Sequence, residues 1–141
     1  MYKKKPLFIV FEGIEGSGKS YLSKRLFSKI KKMQIPVILT REPGGTFGAE
    51  KIRQLILKDY FSKKNEDQFD KYTDTLMYLA ARNEHVKKKI LPALKKRKIV
   101  ICDRFIDSTI AYQVFGKNVN KNLIDTIHKY ILHKTRPDLT F

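Results

Sequence analysis

Residues 13–20 read Gly13-Ile14-Glu15-Gly16-Ser17-Gly18-Lys19-Ser20 and fit the pattern G-x-x-x-x-G-K-[ST]. The apolar run Leu7-Phe8-Ile9-Val10-Phe11 precedes this stretch. Apolar residues recur after it at helical spacing, namely Leu22, Leu26, Phe27, Ile30 and Met33. A strand, a glycine-rich loop and a helix are therefore predicted in that order, which is the context in which the pattern binds phosphate.

Each part of the pattern has a chemical role. The glycines let backbone N–H groups curl around a phosphate chain, Lys19 reaches the β- and γ-phosphates, and Ser20 ligates Mg²⁺. The helix that begins here points its positive end at the same phosphates. A glycine-rich turn that binds nothing is the alternative, and the flanking strand and helix argue against it.

Length and composition predict one soluble domain, residues 1–141. The chain has 141 residues, 42% of them hydrophobic, and no apolar run approaches the length of a membrane span. Its start, Met1-Tyr2-Lys3-Lys4-Lys5, is basic, but the apolar stretch that follows is interrupted by Glu12 and is too short for a signal peptide. The lone cysteine, Cys102, agrees with a reducing compartment, so we expect a cytoplasmic protein.

The chain is strongly basic, with 30 Lys and Arg against 14 Asp and Glu, a net charge of +16. A basic surface can bind nucleic acid, but the lysines fall on predicted helix faces without the interleaved aromatic residues that stack on bases. Nucleic acid is therefore an unlikely main ligand, and a solvated lysine-rich surface is the simpler interpretation. The positive field should raise the encounter rate with phosphorylated metabolites.

Alternating strands and helices predict an α/β fold with a parallel sheet flanked by helices. Strands are predicted at Leu7–Phe11, Pro36–Thr40 and Lys98–Cys102, with a fourth that begins near Asp138-Leu139-Thr140-Phe141. Helices are predicted at about 19–34, 48–58, 72–96 and 120–134, and a polar surface loop at Ser62–Asp70.

Polar clusters follow the predicted strands, at the sheet edge where ligands bind in such folds. Arg41-Glu42-Pro43-Gly44-Gly45 follows the second strand, and Asp103-Arg104-Phe105 follows the third. A carboxylate at position 103 suits the Mg²⁺ of a nucleotide, or else caps the next helix. Arg41 and Arg104 could hold a second phosphate, as a kinase for a phosphorylated acceptor requires, or could form surface salt bridges with Glu42 or Asp103.

Tyr78 and Arg82 are four residues apart in the helix predicted at 72–96, so they share a face. A ring and a guanidinium on one face can stack on a base and hydrogen-bond its edge. On spacing alone, Tyr78 could equally be a core residue and Arg82 a solvated one.

Five ordered motifs spread over the chain resemble those of the bacterial thymidylate kinases. Besides the phosphate loop, they are Arg41-Glu42-Pro43-Gly44-Gly45-Thr46, Tyr78-Leu79-Ala80-Ala81-Arg82, Asp103-Arg104-Phe105 and Ser108-Thr109-x-Ala111-Tyr112-Gln113, and the closing Arg136-Pro137-Asp138-Leu139-Thr140 also fits. The resemblance implies a P-loop nucleoside monophosphate kinase fold. It also implies transfer of the γ-phosphate of ATP to dTMP, and assembly as a homodimer.

The resemblance also implies roles for individual residues. Residues 13–20 would bind ATP, and Ser20, Asp103 and Glu15 would surround Mg²⁺. Arg41 and Arg104 would clamp the dTMP phosphate, with Lys19, Asp103 and Glu15 completing the catalytic set. Glu15 would also lie near the deoxyribose 3′-hydroxyl. The base and sugar would meet Tyr78 by stacking, Arg82 at O4, Ser108 and Thr109 at the base edge, and Tyr112 at the 2′ position.

The sequence departs from this family in ways that bear on activity. The family usually has Phe where Tyr78 stands, a change that keeps the ring. Some members carry an arginine in the phosphate loop where this chain has Gly16, and members without it supply one from a lid. Lid, adenine loop and last helices would follow Phe141, so we expect a truncated chain that lacks the last strand and is weakly active or inactive.

The sequence leaves two alternative functions open and argues against a third, that of a GTPase. The chain could be another P-loop nucleotide kinase, or an inactive nucleotide-binding fragment. A GTPase requires an N-K-x-D motif, and Asn120-Lys121-Asn122-Leu123 lacks its aspartate. The three histidines, His85, His128 and His133, have no metal-binding spacing and receive no role from the sequence.

Overall fold

A four-stranded parallel sheet forms the centre of the computed structural model, which describes residues 5–62 and 67–141. The strands are β1 (Phe8–Phe11), β2 (Val37–Arg41), β3 (Ile99–Asp103) and β4 (Leu139–Thr140). Their order across the sheet is β2-β3-β1-β4, and every neighbouring pair is parallel. The predicted α/β class and the four predicted strands are confirmed to within a residue or two at their ends.

Six α-helices surround this sheet within the described parts of the chain. They are α1 (Lys19–Lys32), α2 (Phe47–Tyr60), α3 (Lys71–His85), α4 (Leu91–Lys95), α5 (Ile106–Thr109) and α6 (Lys121–Ile131). Two π-helical segments, Val86–Ile90 and Ile110–Gly116, connect α3 to α4 and extend α5. Within residues 5–62 and 67–141, none of the helices has both the length and the apolar character that a membrane span requires.

The sheet is covered on both faces because β1 and β3 are apolar at successive positions, as buried parallel strands are. On one face, Phe8, Val10 and Val100 pack with Ile90 and Phe105. On the other face, Ile9, Phe11, Ile99 and Ile101 pack against the Leu26, Phe27 and Ile30 side chains of α1. The apolar stripe predicted for α1 is shorter than expected, since Leu22 and Met33 are exposed.

The helix predicted at 72–96 is continuous in the structure, but it contains a π-helical segment between α3 and α4. Pro92 lacks the N–H that an α-helix would direct to Lys88, and its ring crowds the preceding turn. The chain accommodates this with the π-helical segment, in which the Leu91 N–H bonds to the Val86 carbonyl. The remaining predicted helices begin and end within three residues of those observed.

The helix at 106–116 has no counterpart among the predicted elements. Its N-terminus follows Phe105, which offers no capping side chain. The cap comes instead from Glu12, whose Oε1 accepts from the Phe105 N–H at 2.8 Å and the Ser108 N–H at 3.3 Å. A cap that lies 93 residues away in sequence leaves no local pattern to read. In the loop predicted at 62–70, residues 63–66 lie outside the described residues, and 67–70 are exposed.

Candidate active site

The carboxyl ends of the three long strands meet at one edge of the sheet. Asp103 is in register with Phe11 on β1 and with Arg41 on β2. The phosphate loop, the cluster after β2 and the cluster after β3 therefore adjoin one another, as the sequence predicts. This edge is where ligands bind in open parallel sheets.

The phosphate loop has the geometry of an anion-binding turn. Gly18 adopts φ 84° and ends the loop at the first turn of α1, which has no side-chain cap and no acidic residue. Its backbone N–H groups are thus left for a ligand, at the positive end of the helix dipole. A Cβ at Gly18 would meet nothing within 4 Å, so the space over the loop is open. Lys19 is buried and donates from Nζ to the Ile14 carbonyl at 3.0 Å.

Ser20 and Asp103 form a pair beside this loop that fits Mg²⁺. The Ser20 hydroxyl donates to Asp103 Oδ2. The other carboxylate oxygen, Asp103 Oδ1, is buried and has no hydrogen-bond partner among the described residues. Hydroxyl and carboxylate oxygens are the ligands that Mg²⁺ prefers, together with water and substrate phosphates. Nowhere in residues 5–62 and 67–141 do three His, Cys, Asp or Glu side chains cluster as a protein-only metal site would require.

A cavity of about 440 Å³ opens next to the phosphate loop. Its wall brings together seven residues that the sequence nominated, namely Glu15, Tyr78, Arg82, Arg104, Ser108, Thr109 and Tyr112. Glu15 belongs to the loop as well as to the cavity wall, so the two are contiguous. The cavity thus has a wall of charged, hydroxyl and aromatic groups next to the phosphate loop.

Arg41 is not among the residues that line this cavity. Its Nη2 donates to Glu50 Oε2 at 2.9 Å, and its side chain is about half exposed (49%). Arg53 lines the cavity together with Arg82 and Arg104, and its Nη1 donates to the Pro43 carbonyl at 3.0 Å. In this geometry Arg41 does not share the cavity wall with Arg104, and its role in binding an acceptor phosphate stays a prediction. Arg53 lies on the same face of α2 as buried Ala49 and Ile56, a spacing that the sequence contains.

Arg104 is held from several sides. Its backbone has φ 69°, and its N–H donates to the Phe11 carbonyl at 2.9 Å. Its Nη1 donates to Ser108 Oγ at 3.0 Å, and Ser108 in turn donates to Glu12. The guanidinium carbon lies 5.3 Å from the centre of the Tyr112 ring, a cation–π contact. These contacts orient a fixed positive charge in the cavity wall.

A buried hydrogen-bond network stands behind the cavity, and Arg82 is its centre. The Arg82 side chain donates from Nε to Glu42 Oε2 at 2.7 Å and from Nη2 to the Phe105 carbonyl at 2.8 Å. Its Nη1 lies 3.0 Å from His128 Nε2. His85 Nδ1 donates to Glu42 Oε1 at 2.9 Å. Arg82 is thus a buried, oriented group, and the alternative of a solvated side chain is wrong.

Charge pairing decides the ionisation of Glu42. Burial raises the pKa of its carboxyl, but the adjacent Arg82 guanidinium and the His85 hydrogen bond outweigh burial and hold the pKa below the usual 4.5. The carboxylate therefore stays charged and keeps its two hydrogen bonds. Removal of either partner would leave this buried charge under-compensated.

Another part of the cavity wall is built around Asp74, for which the sequence predicts no role. Gln113 donates from Nε2 to Asp74 Oδ2 at 3.2 Å, and Lys117 forms an ion pair with the same oxygen at 2.8 Å. Burial raises the pKa of Tyr78 above 10.0, and the Asp74 charge adds to this effect, so the phenol stays neutral. Gln113 lies inside a motif already quoted above, and its helical spacing from Thr109 could have identified it.

Comparison with known proteins assigns these features to a family. A family model described as thymidylate kinase matches residues 11–141. A thymidylate kinase of Wolbachia sp. subsp. Brugia malayi (strain TRS) is 51% identical over 137 residues, which are 96% of this chain and 62% of the relative. That of Rickettsia typhi (strain ATCC VR-144 / Wilmington) is 45% identical over 134 residues, 95% of this chain and 62% of the relative. The chain thus spans about 62% of the length of these curated relatives.

A solved structure gives the same result at the level of the fold. The crystal structure of thymidylate kinase from Ehrlichia chaffeensis superposes with a TM-score of 0.86 at 41% sequence identity. The match covers 98% of this chain and 75% of that chain. The sheet, its flanking helices and the loop after β1 are therefore those of a P-loop nucleoside monophosphate kinase.

Proposed function

The chain belongs to the thymidylate kinase family, and from this premise we propose that it transfers the γ-phosphoryl group of ATP to dTMP, giving ADP and dTDP. One observation carries the proposal, namely that Glu15 lies both in the phosphate loop and in the wall of the adjoining cavity. A triphosphate on the loop and a monophosphate in the cavity would then approach each other end to end. Approach of this kind is the main requirement of phosphoryl transfer.

The loop side of the site suits the phosphate donor. The backbone N–H groups of residues 13–18 and the Lys19 ammonium would hold the β- and γ-phosphates. Ser20 and Asp103 supply a hydroxyl oxygen and a free carboxylate oxygen for the metal. When bound there, Mg²⁺ would neutralise charge on the phosphate oxygens.

The cavity side suits a monophosphate acceptor. Arg53 and Arg104 both line it, and two guanidiniums can bind a phosphate group through paired hydrogen bonds. A phosphate oxygen of dTMP would attack the γ-phosphorus, the bond to the β-phosphate oxygen would break, and ADP would leave. The two arginines would orient the attacking oxygen and offset the repulsion between the two anions.

The donors and acceptors in the cavity match a thymine base. Arg82 has five N–H hydrogens, of which three meet acceptors among the described residues, so two are left for a carbonyl oxygen such as O4. Gln113 uses its amide N–H on Asp74, which leaves its carbonyl oxygen to accept from the thymine N3–H. Cytosine presents an amino group and a bare ring nitrogen at these two positions. Tyr78 would stack on the ring, Thr109 and Ser108 would meet its edge, and Tyr112 would crowd a 2′-hydroxyl.

The cellular location and the oligomeric state complete the proposal. We place the reaction in the cytoplasm, where a buried free thiol such as Cys102 stays reduced. Burial raises the pKa of that thiol well above 9.0, which keeps it in the unreactive protonated form. A homodimer, as the family resemblance implies, is part of the proposal as well.

Titration calorimetry with dTMP, dUMP, dCMP and dAMP, beside a coupled assay of ADP release from ATP, tests this function. We expect dTMP to bind most tightly, and ADP release to require dTMP and to be weak, because the phosphate loop carries Gly16 in place of an arginine. Preferred binding of another monophosphate would favour a different P-loop nucleotide kinase. Selective dTMP binding without turnover would favour the nucleotide-binding fragment, and no nucleotide binding by a folded chain would refute the proposal.

A further inference from the structure

His128 lies on α6, one layer behind the cavity wall, where it contacts the residue proposed to read the base. Its Nε2 is 3.0 Å from Arg82 Nη1, and the two side chains are almost fully buried, with residue exposures of 4% and 2%. A buried histidine that faces a buried cation is an unusual choice, because the protonated form of each repels the other. The contact therefore requires a chemical explanation.

The chemistry of the two groups fixes the direction of the hydrogen bond. A guanidinium has only donors, so Nη1–H donates and His128 Nε2 must accept. The imidazole is then neutral and carries its hydrogen on Nδ1. Burial, together with the charges of Arg82 and Arg136, lowers the pKa of His128 from 6.5 to about 4, and the opposing charges of Asp125 and Glu42 do not offset this.

We propose that His128 is a positioning residue that holds the Arg82 guanidinium in the orientation required to read the 4-position of the acceptor's base. Glu42 and the Phe105 carbonyl fix two other sides of the guanidinium, and His128 supplies the third acceptor. Arg82 also lines the cavity, so the N–H hydrogens that these three acceptors do not use are the ones that a base bound there would meet. The inference rests on the proposed function, since it assigns a cause to the preference for a base with a carbonyl oxygen at this edge.

The surroundings of His128 set the pH range in which it can act. Arg82 faces it from α3, Glu42 from the segment after β2, Arg136 from the segment after α6, and Asp125 from its own helix. At pH 7 the ring is neutral and accepts the hydrogen bond. Protonation at low pH would turn Nε2 into a donor and repel the guanidinium.

Two substitutions at position 128 distinguish the effect of a hydrogen-bond acceptor from the effect of side-chain volume. In His128→Gln the carboxamide oxygen can reach the place of Nε2 without titrating, whereas His128→Leu fills the volume and offers no acceptor. His133→Gln is the matched control, because His133 is an exposed histidine just beyond α6. The measurement is the Kd for dTMP and for dCMP with the full 141-residue chain at pH 7, after folding has been checked by circular dichroism.

We expect His128→Leu to weaken dTMP binding about fivefold, as loss of one hydrogen bond does, and to narrow the preference for dTMP over dCMP. His128→Gln and His133→Gln should stay within about twofold of the wild type. Equal dTMP-to-dCMP ratios in the Leu and Gln variants would overturn the positioning role. If the wild-type chain binds neither nucleotide, the proposed function fails first, and the role of His128 in base reading fails with it.

A spectroscopic measurement on the unmodified chain tests the contact independently of nucleotide binding. Long-range ¹H–¹⁵N correlation spectra distinguish a neutral imidazole with its hydrogen on Nδ1 from the other tautomer and from imidazolium. We expect the Nδ1–H form for His128 at pH 7 and at pH 5. The Nε2–H tautomer or imidazolium at pH 7 would contradict the inference even if dTMP binds.

Discussion

Gly45 shows how closely single residues are fitted around the buried network. The residue adopts φ 88°, and a Cβ built there would lie 2.6 Å from both His85 Cδ2 and Thr40 Oγ1. Gly45→Ala should lower the free energy of unfolding by about 3 kcal/mol, from backbone strain plus displacement of these side chains. Chemical denaturation measures this loss.

Gly16→Ala is the matched control for that prediction. Gly16 also has a positive φ, 78°, but a Cβ there would meet nothing within 4 Å. Its loss should be only the strain of the left-handed backbone, about 1 kcal/mol. Equal losses in the two variants would show that the contact with His85 and Thr40 is not tight.

Arg53 and Arg41 give a second comparison between similar residues. Only Arg53 lines the cavity, whereas Arg41 forms an exposed ion pair with Glu50. Arg53→Ala should weaken dTMP binding about 10- to 100-fold by removing a charged hydrogen-bond donor, and Arg41→Ala should change it little. The Kd of each variant for dTMP, measured by titration calorimetry, checks this, and the reverse order would restore the pairing that the sequence predicts.

The two arginines also show what sequence can and cannot predict at this scale. Residues contiguous with strand ends or with the phosphate loop could be selected from the sequence, and Glu15 and Arg104 line the cavity, whereas Ser108, which also lines it, was selected only through the family resemblance. Partners in the buried network could not, because Arg82 meets residues 40 and 46 positions away. Hydrophobic periodicity indicates which face of a helix is buried, but it does not indicate which polar groups from other elements hydrogen-bond to that face.

At the scale of elements, a local side-chain cap accompanies three of the four predicted helix starts, and the fourth, that of α1, follows the phosphate loop and has no such cap. Thr46, Asp70 and Asn120 each accept a hydrogen bond at the N-terminus of their helix, and these starts fall close to the predicted ones. The helix that begins at Ile106 has no such residue and went unpredicted. The π-helical segment before Pro92 was missed for a different reason, since apolar spacing is nearly the same in an α-helix with one widened turn.

The cap of α6 can be tested directly. Asn120 Oδ1 accepts from the Asn122 N–H at 2.9 Å, so Asn120→Ala removes one acceptor from the first turn. We expect a loss of about 1 kcal/mol in the free energy of unfolding. Asn122→Ala keeps the backbone donor and should be neutral or slightly stabilising, because alanine is the better helix former. A larger loss in Asn122→Ala than in Asn120→Ala would contradict the assigned cap.

At the scale of the whole molecule, the sequence predicts that the sheet is parallel, but it does not predict the order of the strands. Apolar strands alternating with amphipathic helices imply helices on both faces, and both faces are covered. The neighbours β1 and β3 pair Phe8 with Val100, a contact between distant parts of the chain that no local window contains. Strand order thus depends on tertiary packing, while strand identity depends on composition.

The same buried network makes the stability of the folded chain depend on pH. His128 has a pKa of about 4 in the folded chain against an ordinary value of 6.5. Between these values the unfolded chain binds a proton that the folded chain does not, so the free energy of unfolding falls as pH falls from 6.5 towards 4. The Glu42 carboxylate, whose pKa is held below 4.5, adds a loss in the same direction at more acid pH.

Denaturation curves measured from pH 7 down to pH 4 should therefore show decreasing stability, and His128→Gln should flatten the decrease between pH 6.5 and 4 because the carboxamide does not titrate. The loss contributed by Glu42 should persist in this variant at the acid end, because the substitution does not touch that carboxylate. An unchanged slope in His128→Gln would mean that His128 titrates normally in the folded chain, which is incompatible with a neutral imidazole packed against the Arg82 guanidinium.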